Sequence, residues 1–563
     1  MTGHPACTPL AGGGPMLRAR EPDAVQIEEE VLARMVDRVL ARASGSDARP
    51  ISEVINDTVY NERLRLRHAK DDERSRADGA FLARLRHELP HASMDRQRAL
   101  VREIVERYLD EITGHFDARV YRFATTILPY GLSGLMQGFS LRGLASELRG
   151  SSQLDDHLLL EGEVKELVGL ANRGTVILVP THSSNLDSLL IGYAIYRMGL
   201  PHFVYGAGLN LFTSPLTSFF MHNLGAYTVD RSKSDPLYRE TLKEYATVSL
   251  ELGQHNLFFP GGTRSRSGEI ESKIKLGLLG TGLAAHRNNL LHGVKQRPRV
   301  FVVPCTISYP LVLEAASLVR DFLEETGRSQ YIVIDDEFSR IHRWVDFLRG
   351  LAELDLRVHV RIGSALDPFG DAVDAEGVSK DPRGRPIDAK RYLYREGRVV
   401  EDAARDAEYT RVLGGRIVAS YRRDNVALPT NVLAFAVLEL QRRDLAQPDL
   451  FRMLRTIGPD TGLDETRVEA EVEKLLAQLR VLEHDEKIHL SDELRTTDGR
   501  AVVARGLRGL ATYHTTPVVV RQGTQLVVRD ADLLFYYRNR LEGYGLLDAP
   551  RLYPAPCSGR RPS

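Results

Sequence analysis

Cysteine is nearly missing. Cys7, Cys305 and Cys557 are the only three in 563 residues, far apart and without a C-x-x-C spacing. That excludes a disulfide framework and argues against a cysteine-built zinc site, and it points to a reducing compartment. A surplus of one charge is missing too. Lys and Arg number 75 against 76 Asp and Glu, a net charge of −1. Nothing global marks a nucleic-acid binder, and the C-terminal charges are mixed, with no basic stripe. G-x-S-x-G is absent, and with it the usual serine-hydrolase elbow. So is the Gly-Lys-Ser/Thr of a nucleotide-binding phosphate loop. The opening stretch MTGHPACTPLAGGGPMLRAREPD has no basic start followed by an apolar run, so it is expected to be a flexible lead rather than a signal peptide.

Uninterrupted apolar runs are also lacking. Two segments, Phe123 to Leu141 and Met198 to Val229, contain no Asp, Glu, Lys or Arg. Both are long enough to cross a bilayer, but Pro, Gly, Ser, Thr or Asn breaks each of them. Buried core is the expectation. The alternative is an apolar surface that rests on a membrane or holds a lipid tail.

What is present divides the chain, whose length calls for two or three domains. Residues 1–22 read as a disordered lead and 551–563 as a disordered tail. Residues 23–150 are charged, with apolar residues at helical spacing, as in AVQIEEEVLARMVDRVLARA. Residues 151–370 change texture. The candidate strands GTVILVP, HFVYG, AYTVDR, NLFFPGG, RVFVVPCTISY and RVHVRIGSAL alternate with helical stretches. That predicts an α/β domain with a central, mostly parallel sheet and flanking helices. Residues 371–389 are polar and rich in breakers, as a linker would be, and 390–550 return to a mainly helical pattern, with a hairpin expected in GLATYHTTPVVVRQGTQLVV.

Active residues of parallel sheets gather where strands end and helices begin. In TVILVPTHSSNLDSLLIGYAIYRMG, a strand, a polar turn and a helix follow one another. On one continuous helix His182 and Asp187 would point apart. With Ser183, Ser184 and Asn185 forming a turn, Asp187 in the first helical turn can fold back and accept a bond from the His182 ring, orienting it and raising its basicity. In LFFPGGTRSRSG, Gly261 and Gly262 permit close approach of backbone to a ligand. Arg264 and Arg266 suit phosphate oxygens, Thr263 and Ser265 supply hydroxyls, and Lys275 adds charge. Arg231, after the strand AYTV, offers another strand-end cation. Cys305 lies in the apolar run VVPCTISYP and reads as an inert buried thiol.

Taken in order, His-x4-Asp, G-x5-R, F-P-x-G-x-R-S-R and V-P-x-x-I-x-Y resemble the motifs of the glycerolipid acyltransferase family, most densely over residues 175–320. Within it, the layout is similar to the bacterial membrane-bound glycerol-3-phosphate O-acyltransferase type. LLFYYRNRLEGYG, residues 533–545, resembles a tail segment of its larger members. The resemblance implies that His182 is a general base and Asp187 its orienter. It implies that Arg231, Gly262 and Arg264 bind the acceptor phosphate, and that Pro304 supports the acyl donor. One position departs: Gly261 stands where most members have Glu.

The function so implied is transfer of an acyl group from acyl-CoA or acyl-carrier protein to the sn-1 hydroxyl of glycerol 3-phosphate, giving lysophosphatidate. No metal and no cofactor beyond the acyl thioester co-substrate is expected, and no nucleic acid. The expected location is peripheral, at the cytoplasmic face of the cell membrane. Gly261 keeps two alternatives open: dihydroxyacetone phosphate or a lysophospholipid as acceptor, or a non-catalytic membrane-associated homologue.

Overall fold

A computed structural model describes residues 24–44, 49–69, 71–114, 117, 157–208, 225–292, 298–326, 356–447, 449–512, 514–549 and 551–553. The expected lead, the apolar segment 123–141, the middle of the segment 198–229 and most of the expected tail lie outside these residues.

The fold is organised by strands with no polar edge. β2 (Thr175–Pro180) and β6 (Val300–Ser308) are buried at every position. Such continuous burial requires cover on both faces of the sheet. The sheet has seven strands: β1 (Leu158–Gly162), β2, β3 (Val204–Gly208), β4 (Ala226–Val229), β5 (Asn256–Leu257), β6 and β7 (Val358–Ile362), ordered β1-β7-β6-β2-β5-β3-β4. The neighbours from β6 to β4 run parallel, β1 is parallel to β7, and the β6–β7 pair is antiparallel. The mostly parallel sheet expected from the strand pattern is therefore present. β1 is the strand that the pattern did not single out.

Strand alternation divides the interior in two. Val176 and Leu178 of β2, with Val303, Cys305 and Ile307 of β6, face one core. Ile177 and Val179, with Val300 and Val302, face the other. The first core takes in α5 (Val164–Ala171), α6 (Asp187–Arg197) and the C-terminal helices. The second is closed by α8 (Leu276–His292) and α10 (Ala403–Arg423), through Leu279, Leu413 and Ile417.

The N-terminal region is helical, as expected: α1 (Ala24–Ser44), α2 (Ile51–Leu66), α3 (Glu73–Glu88) and α4 (Met94–Ile112). Their apolar stripes share a core with Tyr238, Leu242 and Tyr245 of α7 (Pro236–Glu251). Charge fixes the docking. Arg34 bridges Glu244 at 3.2 Å and Glu251 at 2.8 Å. Lys233, in the turn after β4, is buried between Glu62 at 3.3 Å and Glu111 at 2.7 Å, over the Tyr108 ring. The turn that carries Arg231 is thus held from the helical side.

Beyond β7 the polar stretch 371–389 contains two side-chain-braced turns. Asp374 Oδ1 accepts from Glu376 N and Val378 N, and Asp381 Oδ1 from Arg383 N and Arg385 N. The first turn lies between the short strands Ala372–Val373 and Ser379–Lys380. The C-terminal region is mainly helical. Besides α10 it includes α11 (Pro429–Leu445), α12 (Leu450–Thr456), α13 (Glu465–His484), α14 (Asp492–Thr496), α15 (Gly499–Thr512) and α16 (Ala531–Arg538). The expected hairpin pairs Val519–Gln522 with Gln525–Val528. Side chains of α11, α13, α15 and α16 join those of β2 and β6 in one continuous core.

Candidate active site

β2 ends at Pro180 and the chain turns through Thr181, His182, Ser183, Ser184 and Asn185 into α6, which begins at Asp187. The turn folds back as its residue types predict. Asp187 Oδ2 accepts from His182 Nδ1 at 2.8 Å, from Ser183 N at 2.7 Å and from Ser184 N at 2.9 Å. Its other oxygen accepts the Tyr309 hydroxyl at 2.6 Å. Asp187 is fully buried (0% exposed), so among the described residues these four donors take the place of solvent. They keep it an acceptor toward the imidazole, which fixes the proton on Nδ1 and leaves Nε2 as the basic nitrogen. His182 stacks on Phe259, with ring centroids 4.3 Å apart, and its side chain remains 17% exposed. Among the described residues Nε2 has no hydrogen-bond partner. Tyr309 is the last member of the fourth motif. Burial and the nearby Asp187 carboxylate raise its phenol pKa, which keeps it a donor.

The loop after β5 wraps this turn. Ser265 N donates to the His182 carbonyl at 2.8 Å, and His182 N donates to Glu271 Oε1 at 2.5 Å. Glu271 lies outside the motifs read from the sequence. Burial raises its carboxyl pKa, while the His182 N–H and the Arg540 charge oppose that. Arg264 reaches the same corner through a shared acid. Glu314 takes the Ser184 hydroxyl at 2.8 Å and Asn185 N at 3.0 Å, and pairs with Arg264 Nη1 at 3.4 Å. Burial raises Glu314, opposed first by the Arg264 charge. A guanidinium is thereby anchored beside the turn that carries the base.

The other predicted phosphate contacts differ in placement. Gly262 has φ +76°, and a Cβ there would stand 2.6 Å from Lys275 Cε, so backbone and lysine stem need the glycine. Thr263 and Lys275 are exposed. The Ser265 hydroxyl donates to the Glu269 carbonyl at 2.6 Å, so its proton is committed within the loop. Arg266 pairs with Glu325 at 2.7 Å, near the end of α9 (Ala315–Thr326). Arg231 follows β4 on the same edge of the sheet, but β4 is three strand spacings from β2, roughly 14 Å. The structure therefore brings His182, Asp187, Gly262 and Arg264 together and leaves Arg231 at the rim.

Pro304 lies inside its strand. β6 continues to Ser308, and Pro304 pairs with Val179 inside it. A proline is tolerated there because its missing N–H faces the side on which β7 has just ended; its carbonyl accepts from Gly363 N at 2.8 Å. Cys305 is fully buried and burial raises its thiol pKa, consistent with an inert sulfur.

The segment 533–545 reaches the site. Tyr536, Tyr537 and Arg540 line a small cavity with Ser183, Tyr309 and Gly268. A Cβ at Gly268 would stand 2.1 Å from the Tyr536 carbonyl, and Asn539 Nδ2 donates to the Ser267 carbonyl at 2.8 Å. The contact was invisible to pattern reading because 272 residues separate its partners. Among the described residues no three His, Cys, Asp or Glu side chains converge to hold a metal ion, and no helix is long and apolar enough to cross a membrane.

A buried acid, an oriented imidazole with a free nitrogen and a fixed guanidinium can bind an anionic alcohol and take its proton. Tyr309→Phe is expected to lower turnover about tenfold with the fold intact, because Asp187 loses one of four donors while the other three remain. Matching unfolding curves beside a reduced kcat would show it.

Residues 162–308 match the family described as Acyltransferase. The chain is 32% identical over 210 residues to a glycerol-3-phosphate acyltransferase of Aeromonas hydrophila, covering 37% of this chain and 22% of that protein. It is 24% identical over 443 residues to one of Pseudomonas syringae, covering 78% and 44%. It is 26% identical over 386 residues to one of Shewanella loihica, covering 68% and 42%. The chain thus spans less than half the length of these curated relatives. Residues 162–308, which hold the His182–Asp187 pair and the loop of Arg264, are thus similar to the Acyltransferase family, and the longer matches are to glycerol-3-phosphate acyltransferases.

Proposed function

We propose that the protein transfers an acyl group from acyl-CoA or acyl-carrier protein to the sn-1 hydroxyl of glycerol 3-phosphate, giving lysophosphatidate. The observation that carries this is the His182 ring, held by Asp187 at 2.8 Å with Nε2 unpartnered, beside an arginine anchored to the same turn. The names of the relatives supply the acceptor class.

Nε2 of His182 takes the hydroxyl proton as the alcohol oxygen attacks the thioester carbonyl. The carbon–oxygen bond forms, the carbon–sulfur bond breaks, and the imidazolium returns its proton to the departing thiolate. No acyl-enzyme is needed, because the thioester is already activated. Asp187 stabilises the imidazolium. Arg264 holds the phosphate, so that two substrates meet in one orientation. Arg231, Thr263 and Lys275 are assigned to the phosphate rim, and Pro304 to the strand that supports the acyl-donor side. Since the product is an amphiphile, the proposed place of action is the cytoplasmic face of the membrane, with the protein bound peripherally.

The test is a panel of acceptors (glycerol 3-phosphate, dihydroxyacetone phosphate, a lysophospholipid), each offered with radiolabelled acyl-CoA and acyl-carrier protein. Labelled lysophosphatidate is expected, with glycerol 3-phosphate preferred. Release of free fatty acid alone, or no product with any pair, would overturn the proposal.

A further inference from the structure

Gly261 removes a carboxylate from the motif, yet a carboxylate stands in its space. A Cβ on Gly261 would lie 3.2 Å from Glu271 Cγ and 3.4 Å from Glu271 Oε1. Any longer side chain at 261 would compete for the room that Glu271 fills. The two positions are therefore coupled: glycine at 261 admits an acid that arrives ten residues later, from the far end of the loop.

The two oxygens of Glu271 differ. Oε1 accepts the His182 peptide N–H at 2.5 Å. Oε2 is buried and has no hydrogen-bond partner among the described residues. A buried carboxylate oxygen without a donor is costly, and a water, an ion or a bound molecule completes it where one is kept; Glu62 Oε1 is another such oxygen, but only that of Glu271 belongs to a side chain bonded to the His182 backbone. The adjacent residue is the base itself.

We infer that Glu271 is a substrate-binding residue, with Oε2 accepting the hydroxyl of a polyol phosphate next to the one that His182 deprotonates. This rests on the acyl-transfer reading above. It also sets a preference between acceptors. In its carboxylate form, which the His182 N–H and the Arg540 charge favour against burial, Glu271 only accepts. Glycerol 3-phosphate offers a second hydroxyl as donor, whereas dihydroxyacetone phosphate has a carbonyl at that carbon, itself an acceptor. Glu271 thus favours the polyol over the ketone.

Glu271→Gln in the full chain separates the two oxygens, because the amide keeps an acceptor for His182 N–H and puts a donor in place of Oε2. The KM for glycerol 3-phosphate is expected to rise about tenfold or more, with the KM for the acyl thioester unchanged. The ratio of kcat/KM between glycerol 3-phosphate and dihydroxyacetone phosphate is expected to fall by a similar factor. The exchange Gly261→Glu with Glu271→Ala, which returns an acid from the other end of the loop, is expected to recover part of the loss. Wild-type KM and acceptor ratio in Glu271→Gln would overturn the inference and leave Glu271 as a brace for His182. If the wild type transfers to no acceptor, the functional reading fails instead, and calorimetric titration with glycerol 3-phosphate decides this point. About tenfold weaker binding in Glu271→Gln sustains the inference. Equal binding, or none by the wild type, overturns it.

Discussion

Alanine at position 182 is expected to lower kcat for acyl transfer about 10³-fold and to leave the unfolding midpoint nearly unchanged. Both halves follow from the same geometry. Nε2 is the one basic nitrogen at the site with no partner among the described residues, so its loss removes the proton acceptor. The buried Asp187 does not become an orphan, since Ser183 N, Ser184 N and the Tyr309 hydroxyl still donate to it. The imidazole contributes little to the core, being 17% exposed and stacked on a single ring. Stopped assays on wild type and variant, with unfolding curves on the same preparations, make the comparison. Wild-type turnover in His182→Ala would remove the mechanism.

Arg538→Ala is expected to cost roughly 3–5 kcal/mol of stability. Arg538 is 1% exposed, and it pairs with Glu439 (0% exposed) at 3.0 Å and also with Glu542. Its guanidinium lies over the Phe435 ring, 4.7 Å from the centroid. Removing it leaves the buried Glu439 and the part-buried Glu542 without their shared cation, although Glu439 keeps Arg442 at 2.7 Å. The effect should also reach activity, because the neighbouring Tyr536, Tyr537 and Arg540 line the cavity beside Ser183. Replacing the whole network with apolar residues of similar volume should cost less than this single change, as the penalty comes from stranded charge rather than from lost attraction. A denaturant series on both variants measures it, and equal stability of Arg538→Ala and wild type would contradict it.

The parts of this protein legible in the sequence were those that local chemistry specifies. Continuous apolar strands announced a covered parallel sheet, and Ser-Ser-Asn between an imidazole and an acid announced a turn that brings them together. β1 was missed because LLLEG is five residues long, with three leucines in a row and no alternation to mark a strand. Glu271, Glu314 and Arg540 were missed for another reason. Each reaches the His182 turn across 89, 129 or more residues of chain, and no spacing rule encodes such a meeting. Arg266 pairs with an exposed glutamate on a distant helix, a partner that no spacing rule gives.

The continuous core shared by β6 and the C-terminal helices has a practical corollary for recombinant fragments. Truncation after residue 308, where the family match stops, would strip α11, α13, α15 and α16 from Val303, Cys305 and Ile307 and expose an apolar sheet face to solvent. Insolubility of such a piece would report missing cover, not a defective catalytic apparatus. The shortest soluble version of this enzyme-like domain must extend past the segment that defines it by homology.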